Sequence, residues 1–463
     1  MKILLIQPRK APATIGGEDV YVYEPLALEY VAAGVAADHD VRILDLRLSQ
    51  DLQEVLQNFR PDIVGITAYT VHVNVVRRLF AEIKSQNPGV LSVVGGHHAT
   101  LAPEDFISPF IDVIVIGEGV FVFRDVVERF EKGEQFDDIP GIAVPNGNGL
   151  FRTVPRPNEE LDVFPFPDRS LTARYRARYH SEWMRPLASI RTSKGCPYRC
   201  NFCALWKLTG GRYLRRSPEK IVEELAGIAE DFVFFADDES LIDMARMKTL
   251  AELIRTSGIR KRYFLYGRSD TIARSAELLR LWRSIGLERV FVGFEFFRDE
   301  DLAAIRKGST SSDNEKAAKI LADLGIEVYA SFIVRPEFTK EDFAKFAPYC
   351  ESLGLRFATF AVLTPLPGTD LYQEVKDRLI TRNYDFVDFL HTLLPTKLPL
   401  KDFYEELYGL YQRAIPFRKR VTILGKYPLK EIPSTLATSH RILKRLRTAY
   451  LDYGPEAPRG PSS

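Results

Sequence analysis

One loop of this chain, Lys194–Cys203, reads KGCPYRCNFC and follows an apolar run that is typical of a strand. It places Cys196, Cys200 and Cys203 at the spacing C-x3-C-x2-C. Three thiolates on one loop can bind three irons of a cubane cluster and leave the fourth iron open. A structural zinc site needs four ligands, and no further Cys or His follows at a suitable spacing. The spacing therefore predicts an open-sided cluster, with zinc or unreactive thiols as the alternatives.

The composition predicts a soluble globular protein with more than one domain. The chain has 463 residues, and a chain of this length is too long for a single core. Hydrophobic residues make up 46% of it, as in ordinary globular proteins. Its net charge of +1 lacks the basic footprint of a nucleic-acid binder, so we expect no nucleic-acid partner. Four cysteines in this length do not make a disulfide framework. With no apolar run long enough to span a membrane and no signal peptide, we expect a cytoplasmic protein.

The first 145 residues alternate short apolar runs with helical patterns, which predicts a doubly wound α/β domain with a parallel sheet. We predict a linker at 146–184, where prolines and Asn-Gly pairs interrupt any regular pattern. The predicted strands are Lys2–Ile6, Val41–Leu46, Asp62–Thr67, Leu91–Val94 and Asp112–Ile116, and the predicted helices are Pro25–Ala37, Val71–Lys84 and Val120–Phe130.

A second alternating series occupies residues 185–375. Its six strand–helix units are fewer than the eight of a full barrel, so we predict a partial (β/α)6 barrel. Beyond it we predict a helical C-terminal region at 376–452 and a disordered tail at 453–463. The predicted strands are Leu187–Thr192, Phe232–Ala236, Arg262–Gly267, Arg289–Gly293, Glu327–Val334 and Arg356–Val362, and the predicted helices include Ser275–Ile285, Asp313–Leu324 and Lys401–Tyr411.

The cysteine loop, with Phe202 before its last cysteine and this barrel series after it, resembles the radical S-adenosylmethionine (SAM) enzymes. The resemblance implies that Cys196, Cys200 and Cys203 hold a [4Fe–4S] cluster and that SAM binds the open iron. One electron, from a reductant such as flavodoxin or ferredoxin, then cleaves SAM to a 5′-deoxyadenosyl radical. Cys350, far along the chain, is expected to be a buried bystander.

Residues at the predicted strand ends complete the SAM site that the resemblance implies, because such barrels bind ligands there. Phe202 would pack near the adenine, and Arg268 would form paired hydrogen bonds with the SAM carboxylate. Glu295 ends a Val-Gly-Phe-Glu stretch that resembles the family's Gly-x-Glu, although Phe296-Phe297 replace the usual small residues. Asp237, Asp238 and Ser331 are the remaining candidates, and ordinary strand-end capping or surface solvation is the alternative role for each polar residue of this set.

The predicted N-terminal sheet carries small and polar residues at its carboxyl edge, where open α/β sheets bind ligands. Neither G-x-G-x-x-G nor a P-loop follows the first strand. Placed before a radical SAM core, the Gly-Gly-x-His and Gly-Glu-Gly segments resemble the cobalamin-binding domain of class B radical SAM methylases, with a structural turn as the alternative. Such domains, like this chain, lack Asp-x-His-x-x-Gly, so no histidine is expected beneath the cobalt. The predicted cobalamin contacts are Gln7, Thr67, Ala68, Gly95, Gly96, His97, Gly117 and Glu118.

The combined resemblance implies a B12-dependent radical SAM methyltransferase that methylates an unactivated carbon. One SAM methylates cob(I)alamin, and a second supplies the radical that removes hydrogen from the substrate. Glu24–Glu29 and Asp388–Tyr411 resemble the hopanoid C-3 methylase branch, which implies an apolar triterpenoid lipid. Trp206, Phe296 and Phe297 are candidates for lining its pocket.

Three alternatives stay open at this point. The basic segment Arg418–Arg447 predicts contact with an anionic membrane at its inner face, or a solvated helix that covers the barrel. The activity could instead be that of a non-methylating B12 radical SAM enzyme, a cyclase, oxidase or rearranging enzyme acting on a tetrapyrrole or natural product. A non-enzymatic metal-binding scaffold is the third class. No residue is assigned to catalysis from the sequence.

Overall fold

The computed structural model describes residues 1–147, 149–414 and 417–454, and the side chains of all of these except residues 417–420. Two parallel sheets, each packed against helices, are followed by a helical C-terminal region. The predicted fold class is confirmed: a doubly wound domain, then a partial barrel, then helices. In the described part of the chain, no helix is long and apolar enough to cross a bilayer.

The first sheet has the strand order β3-β1-β4-β5-β6-β7-β8, and its first five strands are parallel. Strand order therefore reverses between β1 and β4, and ligands bind such sheets at that point, beyond the carboxyl ends of the strands. The elements are β1 (Lys2–Gln7), β2 (Tyr21–Val22), α1 (Leu26–Ala33), β3 (Asp40–Asp45), α2 (Leu52–Phe59), β4 (Ile63–Thr67), α3 (Val73–Gln86), β5 (Leu91–Gly95), α4 (His97–Leu101), β6 (Val113–Val115), α5 (Gly119–Lys132), β7 (Ile142–Asn146) and β8 (Gly149–Arg152).

The second sheet consists of six parallel strands in the order β10-β13-β14-β15-β16-β17. No pairing of β10 with β17 closes it within the described residues, so the barrel is partial. The elements are β9 (His180–Ser181), β10 (Leu187–Ile190), β11 (Ser193–Lys194), α6 (Leu205–Leu208), β12 (Leu214–Arg215), α7 (Pro218–Ala226), β13 (Phe232–Phe235), α8 (Met244–Ser257), β14 (Arg262–Arg268), α9 (Ser269–Ala273), α10 (Ala276–Ser284), β15 (Leu287–Glu295), α11 (Asp299–Ala304), α12 (Ser311–Asp323), β16 (Glu327–Val334), α13 (Lys340–Ser352), β17 (Ala358–Val362) and α14 (Asp370–Val375).

The barrel strands alternate between two apolar faces, as the period of a strand requires. Val233 and Phe235 of β13 belong to a large core that also contains buried residues of the surrounding helices. Phe232 and Phe234 of the same strand belong to a separate, largely aromatic cluster. Since the helices cover the first face, it is the outer face of the barrel, and the aromatic face points into the barrel interior.

Three helices make up the C-terminal region: α15 (Leu400–Ala414), α16 (Phe417–Leu424) and α17 (Ile432–Arg447). The buried side of α15 joins the outer core of the barrel. Among the described side chains of the predicted basic segment, four cations form ion pairs within the chain: Lys426 with Glu327, Arg441 with Asp19, Arg445 with Asp452, and Arg447 with Glu405. Part of the positive charge of this segment is therefore paired with carboxylates of the same chain. Its first cations, at 418–420, lie outside the described side chains.

Two predicted boundaries need correction. Strands β7 and β8 form an antiparallel hairpin on the edge of the first sheet, so that sheet continues to Arg152 and into the predicted linker. The signal was the Asn-Gly pair, which is typical of a hairpin turn. The predicted disordered tail begins too early, since the hydroxyl of Tyr453 donates to the carbonyl of Thr392 at 2.9 Å. Residues 455–463 of that tail lie outside the described residues.

The segment Arg169–Arg178, a 3-10 helix, connects the two domains through buried ion pairs. Arg176 Nη1 donates to Glu24 Oε2, before α1, at 2.7 Å. Arg169 Nη2 donates to Glu224 Oε1, in α7 of the barrel, at 2.7 Å. Glu24 also accepts from the backbone N–H of Ser189 in β10. Carboxylates and guanidinium groups that are buried in this way need one another to compensate for lost hydration.

Glu29 is the exception in this interface because it has no cation of its own within hydrogen-bonding distance. Its Oε1 accepts from the Thr172 hydroxyl, and its Oε2 has no hydrogen-bond partner among the described residues. Burial, together with the nearby charge of Glu24, raises the pKa of Glu29 to about 8. The folded protein therefore keeps this proton at pH values at which an unfolded chain has lost it.

We expect the free energy of unfolding to fall as the pH rises from about 4.5 to about 8, because the unfolded carboxyl ionises near 4.5 and the folded one near 8. The variant Glu29→Gln, which cannot ionise, should lose this dependence and be more stable than wild type above pH 8, by about 1–3 kcal/mol. Urea unfolding at pH 6 and pH 9 measures the effect. The exposed Glu54→Gln variant is the control, and an equal pH dependence in both variants would contradict the assignment.

Candidate active site

The cysteine loop lies between β11 and α6, at the carboxyl end of the barrel, and backbone hydrogen bonds hold it. The N–H of Cys203 donates to the carbonyl of Cys200 at 3.2 Å, and Trp206 Nε1 donates to the same carbonyl at 3.1 Å. The N–H of Asn201 donates to the carbonyl of Ile305 at 3.1 Å. These hydrogen bonds join the loop to its own backbone, to α6 and to the residue that follows α11.

The three thiols lie close enough to influence one another electrostatically. Burial raises the pKa of Cys196 to about 11 and that of Cys203 to about 12, and in both cases the neighbouring cysteines add to the shift. Arg268 Nη1 lies 3.7 Å from Cys200 Sγ and supplies a positive charge. Iron would replace the protons on these thiols, because only thiolates are ligands. Three neighbouring thiols beside a guanidinium have the chemistry that a cluster needs, because the positive charge favours the thiolate form.

Within residues 1–147, 149–414 and 417–454, no group of three or more His, Cys, Asp or Glu side chains is arranged to hold a metal ion. A cubane cluster places its thiolates on separate irons, whereas a zinc site brings all of its ligands to one ion. The assignment of Cys196, Cys200 and Cys203 as cluster ligands remains a prediction, since it rests on the spacing and the shared loop.

The start of the loop is anchored by two neighbouring carboxylates that follow β13. Asp237 accepts from the backbone N–H groups of Thr192 and Ser193, both at 2.8 Å, and is buried. Asp238 Oδ2 accepts from the N–H of Gly195 at 2.6 Å. Both predicted SAM contacts thus hold the start of the cysteine loop: the buried Asp237 binds the two residues before Lys194, and the half-buried Asp238 binds Gly195 within the loop.

Glycine is required at position 195, since its φ is +88° and a Cβ atom there would lie 2.0 Å from the carbonyl oxygen of Arg212. A side chain would clash with backbone in a conformation that L-residues rarely adopt. The start of the loop therefore depends on Gly195, which directly precedes the first cysteine, and on the Asp238 carboxylate that accepts from its N–H.

The structure places Arg268 at the end of β14, as predicted, but its donors are largely engaged. Nε donates to Asp270 Oδ1 at 2.9 Å, Nη2 donates to the carbonyl of Lys307, and the guanidinium lies 3.7 Å above the Tyr198 ring. Arg268 thus positions the cysteine loop in this structure. Its predicted pairing with the SAM carboxylate remains a prediction.

The other predicted SAM residues occupy different positions along the strands. Glu295 ends β15 with φ of +59°, a conformation that costs free energy and often occurs at functional sites, and its Oε1 pairs with Lys307 Nζ at 2.5 Å. Ser331 was assigned to a strand end but lies inside β16, whose bounds, Glu327–Val334, are those that the sequence predicts. Phe202 is half-buried and packs against the outer core.

All eight predicted cobalamin residues lie at the carboxyl edge of the first sheet. Gln7 ends β1 and Thr67 ends β4, so they flank the point where strand order reverses. Gly96 has φ of +104°, and a Cβ atom there would meet Thr67 Oγ1 at 2.8 Å. The chain after β5 therefore passes close to the end of β4, and a side chain at position 96 would not fit there. The remaining predicted residues at this edge are Ala68, Gly95, His97, Gly117 and Glu118.

The two adjacent histidines of this edge have different surroundings. His97 is half-buried and packs edge-on against Tyr69, whose side chain is 51% exposed. Burial and the charge of Lys194 lower the pKa of His97 to about 4, so its imidazole is neutral at pH 7. His98 is buried and bridges Thr70 and Asp105 at 3.0 and 2.9 Å. His97 is thus the more accessible of the two imidazoles, and its contact with cobalamin remains a prediction.

The barrel interior carries an aromatic surface that the sequence reasoning missed. It is lined by half-buried aromatic side chains whose ring centroids lie close together: Tyr23 is 4.7 Å from Phe234, and Tyr266 is 5.0 Å from Phe234 and 4.8 Å from Phe291. Tyr329 continues this face at 5.4 Å from Phe291. The signal in the sequence was an aromatic residue at alternate positions of neighbouring predicted strands. An aromatic wall of this kind suits a rigid apolar ligand.

The three aromatics predicted to line a pocket do not lie in the barrel interior. Phe296 belongs to the outer core, and Phe297 packs against Phe346 of α13 at 4.9 Å. A register shift between Gly293 and Glu295, together with the positive φ of Glu295, ends the strand alternation just before them. Trp206 packs at the cysteine loop, where Lys207 lies 4.1 Å above its ring.

The fold places the carboxyl edge of the first sheet beside the cysteine loop of the barrel, and Glu118 of that edge pairs with Lys194 of the loop. Comparison with known proteins agrees: a B12 binding domain matches residues 13–127, and the radical SAM superfamily matches residues 190–350. The chain is 34% identical over 421 residues to the hopanoid C-3 methylase of Methylococcus capsulatus, with 88% of this chain and 81% of that protein covered. It belongs to the cobalamin-dependent radical SAM methyltransferase family, whose cofactors are cobalamin, a [4Fe–4S] cluster and SAM.

Two further similarities are informative. The chain is 28% identical over 432 residues to an anaerobic magnesium-protoporphyrin IX monomethyl ester cyclase of Rubrivivax gelatinosus, covering 89% of this chain and 77% of the cyclase. The structure of the cobalamin-dependent SAM radical enzyme OxsB, with aqua-cobalamin bound, superposes with a TM-score of 0.70 at 15% identity, covering 99% of this chain and 74% of OxsB. The second similarity shows a shared fold over the whole chain.

Proposed function

We propose that this enzyme methylates a carbon of a rigid, polycyclic lipid of the hopanoid class, bound against the aromatic face of the barrel interior. The observation that carries the proposal is that face itself. Phe234, Tyr266, Phe291 and Tyr329 come from four neighbouring strands and form one continuous wall. Flat aromatic rings bury much apolar area with little loss of side-chain entropy, and this favours a fused-ring ligand.

The similarity to a hopanoid C-3 methylase over most of both chains supports the same substrate class. When bound, SAM at the cluster supplies a hydrogen-abstracting radical and cobalamin supplies the methyl group. The residues of the chain orient and enclose these groups. Cys196, Cys200 and Cys203 would hold the cluster, while Gly96 and His97 would lie against the corrin, and the aromatic face would exclude water from the substrate carbon.

Labelled SAM tests the reaction. Protein reconstituted with iron, sulfide and hydroxocobalamin is incubated under reduction with trideuteromethyl-SAM and an unmethylated hopanoid. The expected product carries the intact trideuterated methyl group, and 5′-deoxyadenosine is formed with it. The cyclase relative makes an unlabelled, oxidised product the specific alternative. Turnover of the hopanoid without label in the product would contradict methylation.

Substitution within the aromatic face tests the binding site. The variant Phe291→Leu keeps an apolar side chain but breaks the contact of its ring with Tyr266 and Tyr329. We expect kcat/KM for the hopanoid to fall by about 10- to 100-fold, mainly through KM, because an apolar pocket loses binding energy with each displaced contact. SAM cleavage without substrate should stay unchanged. Phe151→Leu, on the exposed hairpin strand β8, is the control, and an equal effect of both variants would argue against the site.

We extend the proposal to a membrane contact and to a one-electron reductant of the flavodoxin or ferredoxin class. An enzyme that acts on a membrane lipid has to reach the bilayer. The C-terminal region carries large exposed apolar side chains, Val421, Leu429 and Leu436, among its cations. A mixed apolar and basic surface is typical of segments that lie on anionic membranes.

A further inference from the structure

Glu118 contacts the barrel, although its position in the sequence predicts a cobalamin contact. Its Oε2 accepts from Lys194 Nζ at 2.8 Å and from Arg191 Nη1 at 3.3 Å. Glu118 follows β6 of the first sheet. Its two partners belong to the barrel region, where Arg191 follows β10 and Lys194 is the last residue of β11. With 18% of its side chain exposed, the carboxylate lies mostly within this contact between the domains.

Lys194 is two residues before Cys196, so the position of its side chain restrains the cysteine loop. The next residue, Gly195, is held by Asp238 of the barrel at 2.6 Å. The start of the loop is thus held on one side by a carboxylate of the barrel and on the other by a carboxylate of the cobalamin-binding domain.

Arg191 depends on the same carboxylate. Its Nε and Nη2 atoms are buried without a hydrogen-bond partner in the described part of the chain, and its guanidinium lies 4.5 Å above the ring of Tyr30. Removal of the Glu118 charge would leave two neighbouring cations without compensation. A buried charge that loses its partner strongly destabilises the folded protein. We therefore expect the Lys194 and Arg191 side chains to move toward solvent.

We propose that Glu118 is a positioning residue that holds the cysteine loop through Lys194 and Arg191, and that it is not a cobalamin contact. The inference rests on the proposed function, because it takes this loop to be the cluster site. Through Glu118, the cobalamin-binding domain would help to set the position of the cysteine loop beside which SAM binds.

The variant Glu118→Gln, which keeps the shape and removes the charge, tests the inference through binding alone. In cluster-loaded protein we expect SAM affinity, followed by the electron paramagnetic resonance signal of the reduced cluster, to weaken about tenfold. Hydroxocobalamin affinity, followed by absorbance, should change by less than about twofold. Lys194→Met, which removes one of the two contacts of Glu118, should also weaken SAM binding, and the double variant should lose no more affinity than the Glu118→Gln variant alone.

Glu104→Gln is the matched control, since Glu104 is an exposed carboxylate of the same domain that pairs with Arg152. Both affinities should stay at the wild-type value. If Glu118→Gln weakens hydroxocobalamin binding and leaves SAM binding unchanged, Glu118 contacts cobalamin and the inference is wrong. It is also wrong if neither affinity changes. Wild-type protein that binds no SAM would instead contradict the proposed function.

Discussion

Replacement of Cys196 by alanine is expected to abolish cluster assembly and SAM cleavage. The loop offers no spare thiol, since the remaining cysteine, Cys350, is buried in α13 against the outer core. We expect the iron content after reconstitution to fall close to zero, and 5′-deoxyadenosine formation to fall by roughly 10³-fold or more, as occurs when one member of a catalytic unit is removed. Iron analysis, the absorbance of the cluster and product chromatography measure these changes.

Cys350→Ala provides the control for this experiment. It removes a thiol that is 1% exposed, so it should lower the free energy of unfolding by about 1 kcal/mol while leaving the iron content unchanged. A Cys196→Ala protein that keeps both its brown colour and its 5′-deoxyadenosine formation would refute the cluster assignment. Loss of iron in both variants would instead indicate a general folding defect.

Gly195→Ala is expected to have the second largest effect. A Cβ atom at this position would lie 2.0 Å from the Arg212 carbonyl oxygen and 2.5 Å from Thr209 Oγ1, so the loop has to move. We expect the free energy of unfolding to fall by about 3 kcal/mol or more, because backbone strain and overpacking add. Cluster retention should fall as well, since the first cysteine follows directly. Urea unfolding and iron content after desalting measure the two effects.

Gly211→Ala separates strain from the clash. Gly211 has φ of +80°, but no atom lies within 4 Å of a Cβ built there, so only the backbone cost of about 1–2 kcal/mol applies. The iron content of this variant should match that of the wild type. Equal destabilisation of the two alanine variants would show that the close contact at Gly195 has no special role.

Much of the architecture was predictable because it is encoded locally. The strand Glu327–Val334 has the same bounds in the sequence prediction and in the structure, since a continuous apolar, β-branched run defines it. The cysteine loop was predictable for the same reason, because its ligands share one short segment. The carboxyl edge of the first sheet followed from strand order, which brings the ends of β1, β4, β5 and β6 together.

The roles of individual residues at the site were less predictable because they depend on long-range contacts. Asp237 and Asp238 are neighbours in sequence, yet only the fold shows that Asp237 binds the residues before the cysteine loop and that Asp238 binds Gly195 within it. Glu118 follows a strand end as expected, but its partner Lys194 is 76 residues away. The outward position of Phe296 follows from the positive φ at Glu295, which no propensity predicts.

The ion pairs around Arg169–Arg178 have a consequence for engineering this enzyme. Because Arg176 reaches Glu24 on one side and Arg169 reaches Glu224 on the other, neither domain has a complete surface when the other is absent. A chimaera that takes its first domain from a relative must also take the 169–178 segment from it, or must keep both ion pairs, Arg176 with Glu24 and Arg169 with Glu224. Natural exchange of cobalamin-binding domains between such enzymes faces the same constraint, so the two domains are expected to be inherited as one unit.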